Sequence, residues 1–448
     1  MFGAFPYLRP IPLMHILLPA AYAALGVFLI YKLRFFEAPG LSRRFLLGVF
    51  LLKILAGTAL VAIYTYYYTD RTTADVFKYF DDSKVMFNAL REHPSDYFQM
   101  LFGINNDSPY FDQYYDTMNN WYRVYESNLY NDSHTIIRFN AFVMLFSGGY
   151  IGVHTVFMCF IALMGLTALY KVFSAYMVQN RQALAVGIFL LPSVLFWGSG
   201  VLKEGLLFFA IGTAVFCLEQ LLSHKGTWWH WPGLFFALAL IFICKMYVLI
   251  ALFPGIVGYS WVRLSTPKRV YLKYLVVILV CTVAAVNIKV VLPKDDFLET
   301  LSEKQRDFMG LAESMHSGSI IHINKLEPTF KSFAMNAPEA FFNTLCRPFI
   351  WEAKTAFEWA AAIENLFLIA FIIYALIKID RKKLVQPLVP FCITFVLVLY
   401  VLSGIATPVV GALVRYKVPA MPFLVIALLL VVKDNAFPKK QWVNKLLN

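Results

Sequence analysis

The sequence predicts an all-α polytopic membrane protein of about eleven transmembrane helices, with two outer-face loop regions that carry interfacial helices. Three observations predict it. Of 448 residues, 60% are apolar and only 15% charged, where a soluble domain carries roughly 25% charged residues. The mean hydropathy is +0.64. Apolar runs of about 17–24 residues recur from Leu13 to Val432, close to the ~20 residues that carry a helix across a bilayer. A water-soluble globule is excluded.

The spans fall near 12–34, 45–68, 151–174, 183–198, 201–222, 231–245, 247–263, 270–292, 358–378, 385–404 and 418–433. Residues 1–68 then form an N-terminal transmembrane hairpin, and 69–150 a first outer loop. Residues 151–292 form a central bundle and 293–357 a second outer loop. Residues 358–448 supply the C-terminal membrane helices and a basic inner tail. Arg9 is the one early charge, and no small-residue cleavage signature follows it, so the first apolar stretch reads as a retained helix. The segments 183–198 and 231–245 are short for a full crossing. The segment 136–150 is apolar but interrupted by Arg138, Asn140 and Gly148-Gly149, which suits a helix lying in the interface.

Charge fixes the expected orientation. The net charge is +12, and the loops assigned to the inner side hold 19 Lys and Arg against four acids. A basic excess confined to one side is the positive-inside signature and does not imply nucleic acid. It puts the N-terminus outside and the C-terminus inside. Five of the six cysteines fall within spans and Cys346 lies beside the membrane, with no CxxC or Cys/His spacing. Neither a disulfide framework nor a zinc site is indicated.

Between Thr69 and Thr135 there are eleven carboxylates against five basic residues, among many aromatics. A connector would be shorter and richer in Gly, Ser and Pro. Its opening has helical spacing: Val76, Phe80, Phe87 and Leu90 form an apolar stripe. Asp75, Lys78 and Asp82 share another face, with Asp81 turned about 100° away. Carboxylates beside a bilayer suit a general base, a metal clamp or ligands for sugar hydroxyls. Lys78 between Asp75 and Asp82 favours their ionised forms. The plainer reading is a solvated face.

Cations punctuate the later chain. In Pro192-Ser193…Trp197-Gly198-Ser199-Gly200…Lys203-Glu204, a turn delivers Lys203 at a new helix N-terminus, a ready anion site. The plainer reading is a snorkelling Lys203 neutralised by Glu204. Lys245 interrupts an apolar stretch from Gly233 to Val262. Two short helices meeting at the outer face would set it in water, lining the same surface as Lys203. Lys53 and Lys289 read as snorkelling anchors. Arg347, in Arg347-Pro348-Phe349…Trp351-Glu352, can grip phosphate in two-pronged fashion, with Glu352 orienting it or acting as an acid. Glu358 and Glu364 lie six residues apart, on different faces, and carry less weight. Arg415-Tyr416-Lys417, before Pro419, sits on the normally base-poor side and suits a lipid phosphate. His15 and His154 have no evident partner and read as buried or interfacial histidines.

This arrangement resembles the GT-C superfamily of integral-membrane glycosyltransferases, of the bacterial envelope-polysaccharide type. The resemblance rests on the early acidic outer loop and on the Pro192–Glu204, Arg347–Glu352 and Arg415–Pro419 segments. Two departures stand: Asp81 and Asp82 are adjacent, not an Asp-x-Asp, and one helix precedes the usual first span. The resemblance implies transfer of a sugar from a polyprenyl-phosphate donor to a glycan, lipid or protein acceptor at the outer face, with inversion. Asp75, Asp82 and Asp81 would be the candidate bases. Lys203, Lys245, Arg347, Arg415 and Lys417 would hold the donor phosphate, and Glu204, Glu352 and Tyr416 would line the substrate. The resemblance fixes no cofactor, and the carboxylates leave room for a divalent metal. The expected location is a bacterial inner membrane with the site facing the periplasm or exterior. Two alternatives share the substrate class: an O-antigen-type polymerase or ligase, and a transporter or flippase of anionic lipid-linked glycans. A transporter would place paired charges and broken helices at mid-membrane.

Overall fold

The computed structural model describes residues 13–68, 70–72, 74–122, 130–266, 268–293, 296–314 and 318–434. Arg9 and the tail lysines Lys439, Lys440 and Lys445 lie outside the described residues. Within them the protein is all-α and polytopic. Eight helices are long and apolar enough to cross a membrane: Met14–Lys32, Arg43–Tyr66, Ile151–Ser174, Lys203–Leu222, His230–Leu264, Ala356–Ile377, Leu388–Ala406 and Val410–Val431. Val270–Val286 is a shorter apolar helix.

The difference from eleven spans has local causes. The segment 183–198 divides into Arg181–Phe189 and Pro192–Trp197, because Pro192 has no N–H to continue the first helix. The segments 231–245 and 247–263 form one 35-residue element whose helical path breaks at Lys245, with φ −158 and ψ 91. This element doubles back on itself. Lys245 meets Glu204, at the start of Lys203–Leu222. Both ends of the kinked element meet the other end of that helix, Gly233 beside Cys217 and Tyr259 bonded to Glu219. Glu204 and Glu219 lie about 22 Å apart along their helix. Each arm therefore runs the length of the same neighbour, and Lys245 is the apex.

Lys203–Leu222 is the axis of the bundle, packed between Ile151–Ser174 and the kinked element. Its contact with Ile151–Ser174 is backbone to backbone. A Cβ on Gly212 would lie 1.9 Å from the Gly165 carbonyl oxygen. Small residues at facing positions are the usual means of close helix approach in lipid.

Lys53 contradicts the snorkelling assignment. It sits about 15 and 20 Å from the two ends of Arg43–Tyr66, wholly buried, and among the described residues its Nζ has no hydrogen-bond partner. Its reach is toward Cys159 and not toward either interface. A lysine at mid-helix costs roughly 2.5–3.5 kcal/mol. Lys53→Met is therefore expected to stabilise the protein by about 2–3 kcal/mol in a detergent melt. A loss of stability would show that the amine has a partner in the folded state. Lys289 lies in a short helix end and reaches Asp296 at 3.3 Å.

The two hydrophilic regions cover one end of the bundle. The acidic helix, Asp75–Glu92, packs on Ser133–Ser147, which in turn packs on Ile151–Ser174. Ser133–Ser147 buries Ile137, Ala141 and Met144, while Phe142, Leu145 and Phe146 are exposed. That exposed apolar edge is the one expected of a helix against lipid. His154 is wholly buried and does have partners: its ring nitrogens lie 2.8 Å from Asn140 Oδ1 and 2.7 Å from Ser147 Oγ. At the opposite end the loops carrying Arg43, Lys171, Lys225, Arg263 and Lys383 gather, stitched by bonds such as Tyr170 Oη to Pro39 O and Tyr274 Oη to Pro387 O.

Candidate functional site: a buried ion cluster under a hydrophilic roof

Four charged side chains from four distant segments meet at the roofed end. Asp75 opens the acidic helix, where a first-turn carboxylate favours the helix dipole. Arg415 ends the short helix Val410–Tyr416. Glu204 lies in the first turn of Lys203–Leu222, and Lys245 occupies the kink. Arg415 Nη1 donates to Asp75 Oδ2 at 2.6 Å, and its Nε and Nη2 donate to the two Glu204 oxygens at 2.8 and 3.2 Å. Lys245 Nζ donates to Glu204 Oε1 at 2.7 Å. Glu204 is fully buried, whereas the Asp75 side chain stays 40% exposed.

The sequence expectation for Lys245 is thereby corrected. The two arms meet where predicted, but Lys245 is 4% exposed and not in water. Its desolvation is offset by Glu204, since a buried charge is tolerated only when paired and hydrogen-bonded. Glu204 is likewise no substrate ligand in this arrangement, because both its oxygens are engaged and no surface remains.

Aromatic rings enclose the cluster. The Arg415 guanidinium lies 5.6 Å from the Trp197 ring, and Lys245 Nζ 4.7 Å from the Tyr416 ring. Such cation–π contacts strengthen when desolvated. The second hydrophilic region forms the roof through the helix Phe297–Ser314. Lys304 stands 5.1 Å from the Tyr247 ring, and Phe308 meets Tyr416 edge-on at 6.0 Å. Gln305 pins this helix down, donating to Ile405 O at 2.9 Å and accepting from Leu326 N at 2.7 Å. Beneath the roof, the buried Tyr247 hydroxyl has no hydrogen-bond partner among the described residues. A buried polar atom left unpaired in a native structure calls for an explanation such as a bound group.

Lys203 stands beside this cluster in a pair of its own. It is nearly buried, 2.9 Å from Asp132 Oδ1 and 5.2 Å from the Tyr79 ring. Burial pushes the Tyr79 hydroxyl far above its ordinary value, with Asp75 adding to the shift. Each of Lys203, Lys245 and Arg415 thus already faces a carboxylate.

Of the remaining predicted residues, Tyr416 alone borders the cluster, and the others are apart from it. Asp82 is on the acidic helix about 10 Å along from Asp75, wholly buried. It accepts from Asn119 N at 2.7 Å, Asn119 Nδ2 at 2.9 Å and Asn120 N at 2.8 Å. Burial raises its pKa despite these donors. Asp82 therefore anchors the 119–120 turn and cannot reach a substrate. Asp82→Asn replaces an acceptor-only group by an amide that presents donors to donors, and is expected to cost about 1–3 kcal/mol. Equilibrium unfolding would detect it. A melt equal to the parent's would refute this anchoring role. Asp81 forms a two-pronged pair with Arg71, both contacts 2.6 Å, and is not positioned as a base toward the cluster.

Lys417 is also corrected. It is buried and donates to Asn365 Oδ1 at 2.7 Å and to the Thr344 and Arg347 carbonyls at 3.1 Å. All three ammonium protons are spent on tying two helix ends together, leaving none for a phosphate. Arg347 is bound to Glu352 at 2.7 Å and to Asn343 Oδ1 at 3.0 Å, so these two residues neutralise one another. Tyr416 does line the cluster. Glu358 caps its own helix with Thr355, and Glu364 accepts from Ser193 N at 3.1 Å and from Ser193 Oγ.

Asp132, Tyr247 and Lys304 were not singled out by sequence reasoning. Tyr247 follows Lys245 by two residues, which is a signal once the kink is known. Asp132 and Lys304 are ordinary charges in polar segments and carry none. Among the described residues no group of three or more His, Cys, Asp or Glu could hold a metal ion. The carboxylates that do converge, Asp75 and Glu204, are bridged by Arg415. No protein family, curated protein or solved structure matches the chain.

Proposed function

We propose that the protein is a membrane glycosyltransferase of GT-C-like type, moving a sugar from a polyprenyl-phosphate donor to a glycan, lipid or protein acceptor. The observation that carries this reading is the meeting of Asp75 and Arg415 across 340 residues of chain, at the end of the bundle that the two hydrophilic regions cover. Asp75 is the cluster's exposed carboxylate and the candidate base. The unpaired Tyr247 hydroxyl beside Lys304 and Lys245 suits a polar headgroup under the roof. The opposite end gathers the basic loops, which supports an exterior-facing site in a bacterial inner membrane by the positive-inside rule.

In this mechanism Asp75 takes the proton of the acceptor hydroxyl as its oxygen attacks the anomeric carbon. The bond from that carbon to the lipid phosphate breaks, and its electron pair leaves with the phosphate. Arg415 starts bound to both carboxylates, so the arriving phosphate competes with Asp75 for the Nη1 donor. That exchange frees Asp75 to act as base and places a guanidinium on the charge that develops. The test uses purified protein in lipid with radiolabelled polyprenyl-phosphate sugars, scored for label moving to an acceptor or to water. No transfer with any donor would end the proposal.

Two features favour a second reading, transport of a lipid-linked anionic glycan. The helix break at Leu190-Leu191, with Ser193 bound to Glu364, and the unpartnered Lys53 put polar groups inside the bundle. Broken helices and buried charge at mid-membrane are the marks of transporters. Movement of a labelled lipid-linked glycan between leaflets of sealed proteoliposomes, without chemical change, would select it over transfer.

A further inference from the structure

The end of the bundle opposite the ion cluster contains a cavity of ≈ 440 Å³ that plays no part in the proposed transfer. It opens where Ile151–Ser174, Lys203–Leu222 and the second arm of the kinked element end together, and Lys171, Lys225 and Arg263 line it. Glu219 is its one acid. That carboxylate is already served by three hydroxyls: Tyr176 Oη at 2.6 Å, Ser223 Oγ at 2.7 Å and Tyr259 Oη. Arg263 bonds Ser223 Oγ at 2.9 Å and stands farther, 3.8 Å, from Glu219. No side-chain partner of Lys225 is found among the described residues. With Glu219 ionised, the lining keeps an excess of two positive charges. The three helix C-termini here subtract about half a charge each, roughly 1.5 in all, which reduces the excess without reversing it, so the cavity remains positive.

Its depth is set by Trp228, Trp229 and Trp231, all largely exposed just beyond Leu222. Exposed tryptophans mark the headgroup layer of a bilayer, and basic pockets between membrane helices at that level suit anionic headgroups. We infer that this cavity binds a phosphate-bearing anion, the headgroup of an anionic phospholipid or a free phosphate, between Lys171, Lys225 and Arg263. The inference does not depend on the transferase reading. A positive cavity at headgroup depth, lined by cations from two helices and the loop after Leu222, would serve a transporter equally.

The test uses the full chain in neutral detergent, with phosphatidylglycerol, phosphatidylcholine or inorganic phosphate added in separate arms. Binding is read by native mass spectrometry and by the shift in Tm. Phosphatidylglycerol is expected to bind and raise Tm, and phosphatidylcholine is not. Lys225→Gln should weaken that binding by about fivefold for the loss of one cation. Lys382→Gln, on the same end but outside the cavity, should leave it unchanged. If inorganic phosphate protects and Lys225→Gln abolishes the effect, the site stands and its occupant is free phosphate. Equal binding by the parent and Lys225→Gln, or equal losses in Lys225→Gln and Lys382→Gln, would overturn it.

Discussion

Asp75→Asn is expected to lower sugar transfer by about 10²–10⁴-fold, the usual contribution of a general base, while leaving donor binding intact. The separation follows from the geometry. Arg415 keeps two contacts to Glu204 when Asp75 loses its charge, so the cation stays in place for a phosphate. Asparagine can still accept from Arg415 but cannot hold a proton taken from a hydroxyl. The fold should tolerate the change, because the side chain is 40% exposed and a first-turn acid contributes only about 0.3–1 kcal/mol to its helix. Turnover and donor binding measured on the same preparation decide it. Undiminished turnover would remove Asp75 as the base. Loss of binding together with turnover would make Asp75 a structural partner of Arg415.

Glu204→Gln is expected to destabilise the protein by about 3–5 kcal/mol, the range for removing one member of a buried charge pair. Among the described residues Glu204 is the sole anion that touches both Lys245 and Arg415. Without its charge, two buried cations face one another, and Asp75 neutralises only one of them. The double variant Glu204→Gln/Lys245→Met removes the amine left without its carboxylate and should recover much of the loss. The pair then becomes a neutral amide and an apolar chain, and a double-mutant cycle measures the coupling. A single variant as stable as the parent would show that these charges are not desolvated. A double variant no better than the single would show that Lys245 is not the strained partner.

These two experiments separate roles that look alike in the sequence. Asp75 and Asp82 share a helix face by spacing, and both read as candidate bases. Folding gives them opposite fates, because Asn119 and Asn120, some 37 residues on, close over Asp82 and leave Asp75 to Arg415. Lys417 and Arg415 are two residues apart in one motif, yet one ends inside a cage of carbonyls and the other in the ion cluster. Helical spacing orders side chains around one axis. It carries no information about which axis will be covered by what.

The membrane character, the helical class and the acidic first loop were legible in composition and run length, because transfer of apolar helices into lipid is summed residue by residue along the chain. The apex at Lys245 was legible too, as a charge between two short apolar stretches. Only the tertiary structure decided which cation meets which anion: Lys203 with Asp132, Lys245 and Arg415 with Glu204, and Lys53 with no hydrogen-bond partner among the described residues. Pairing depends on distances of a few ångströms between segments tens to hundreds of residues apart. In a low-dielectric interior those distances determine whether a charge is bearable.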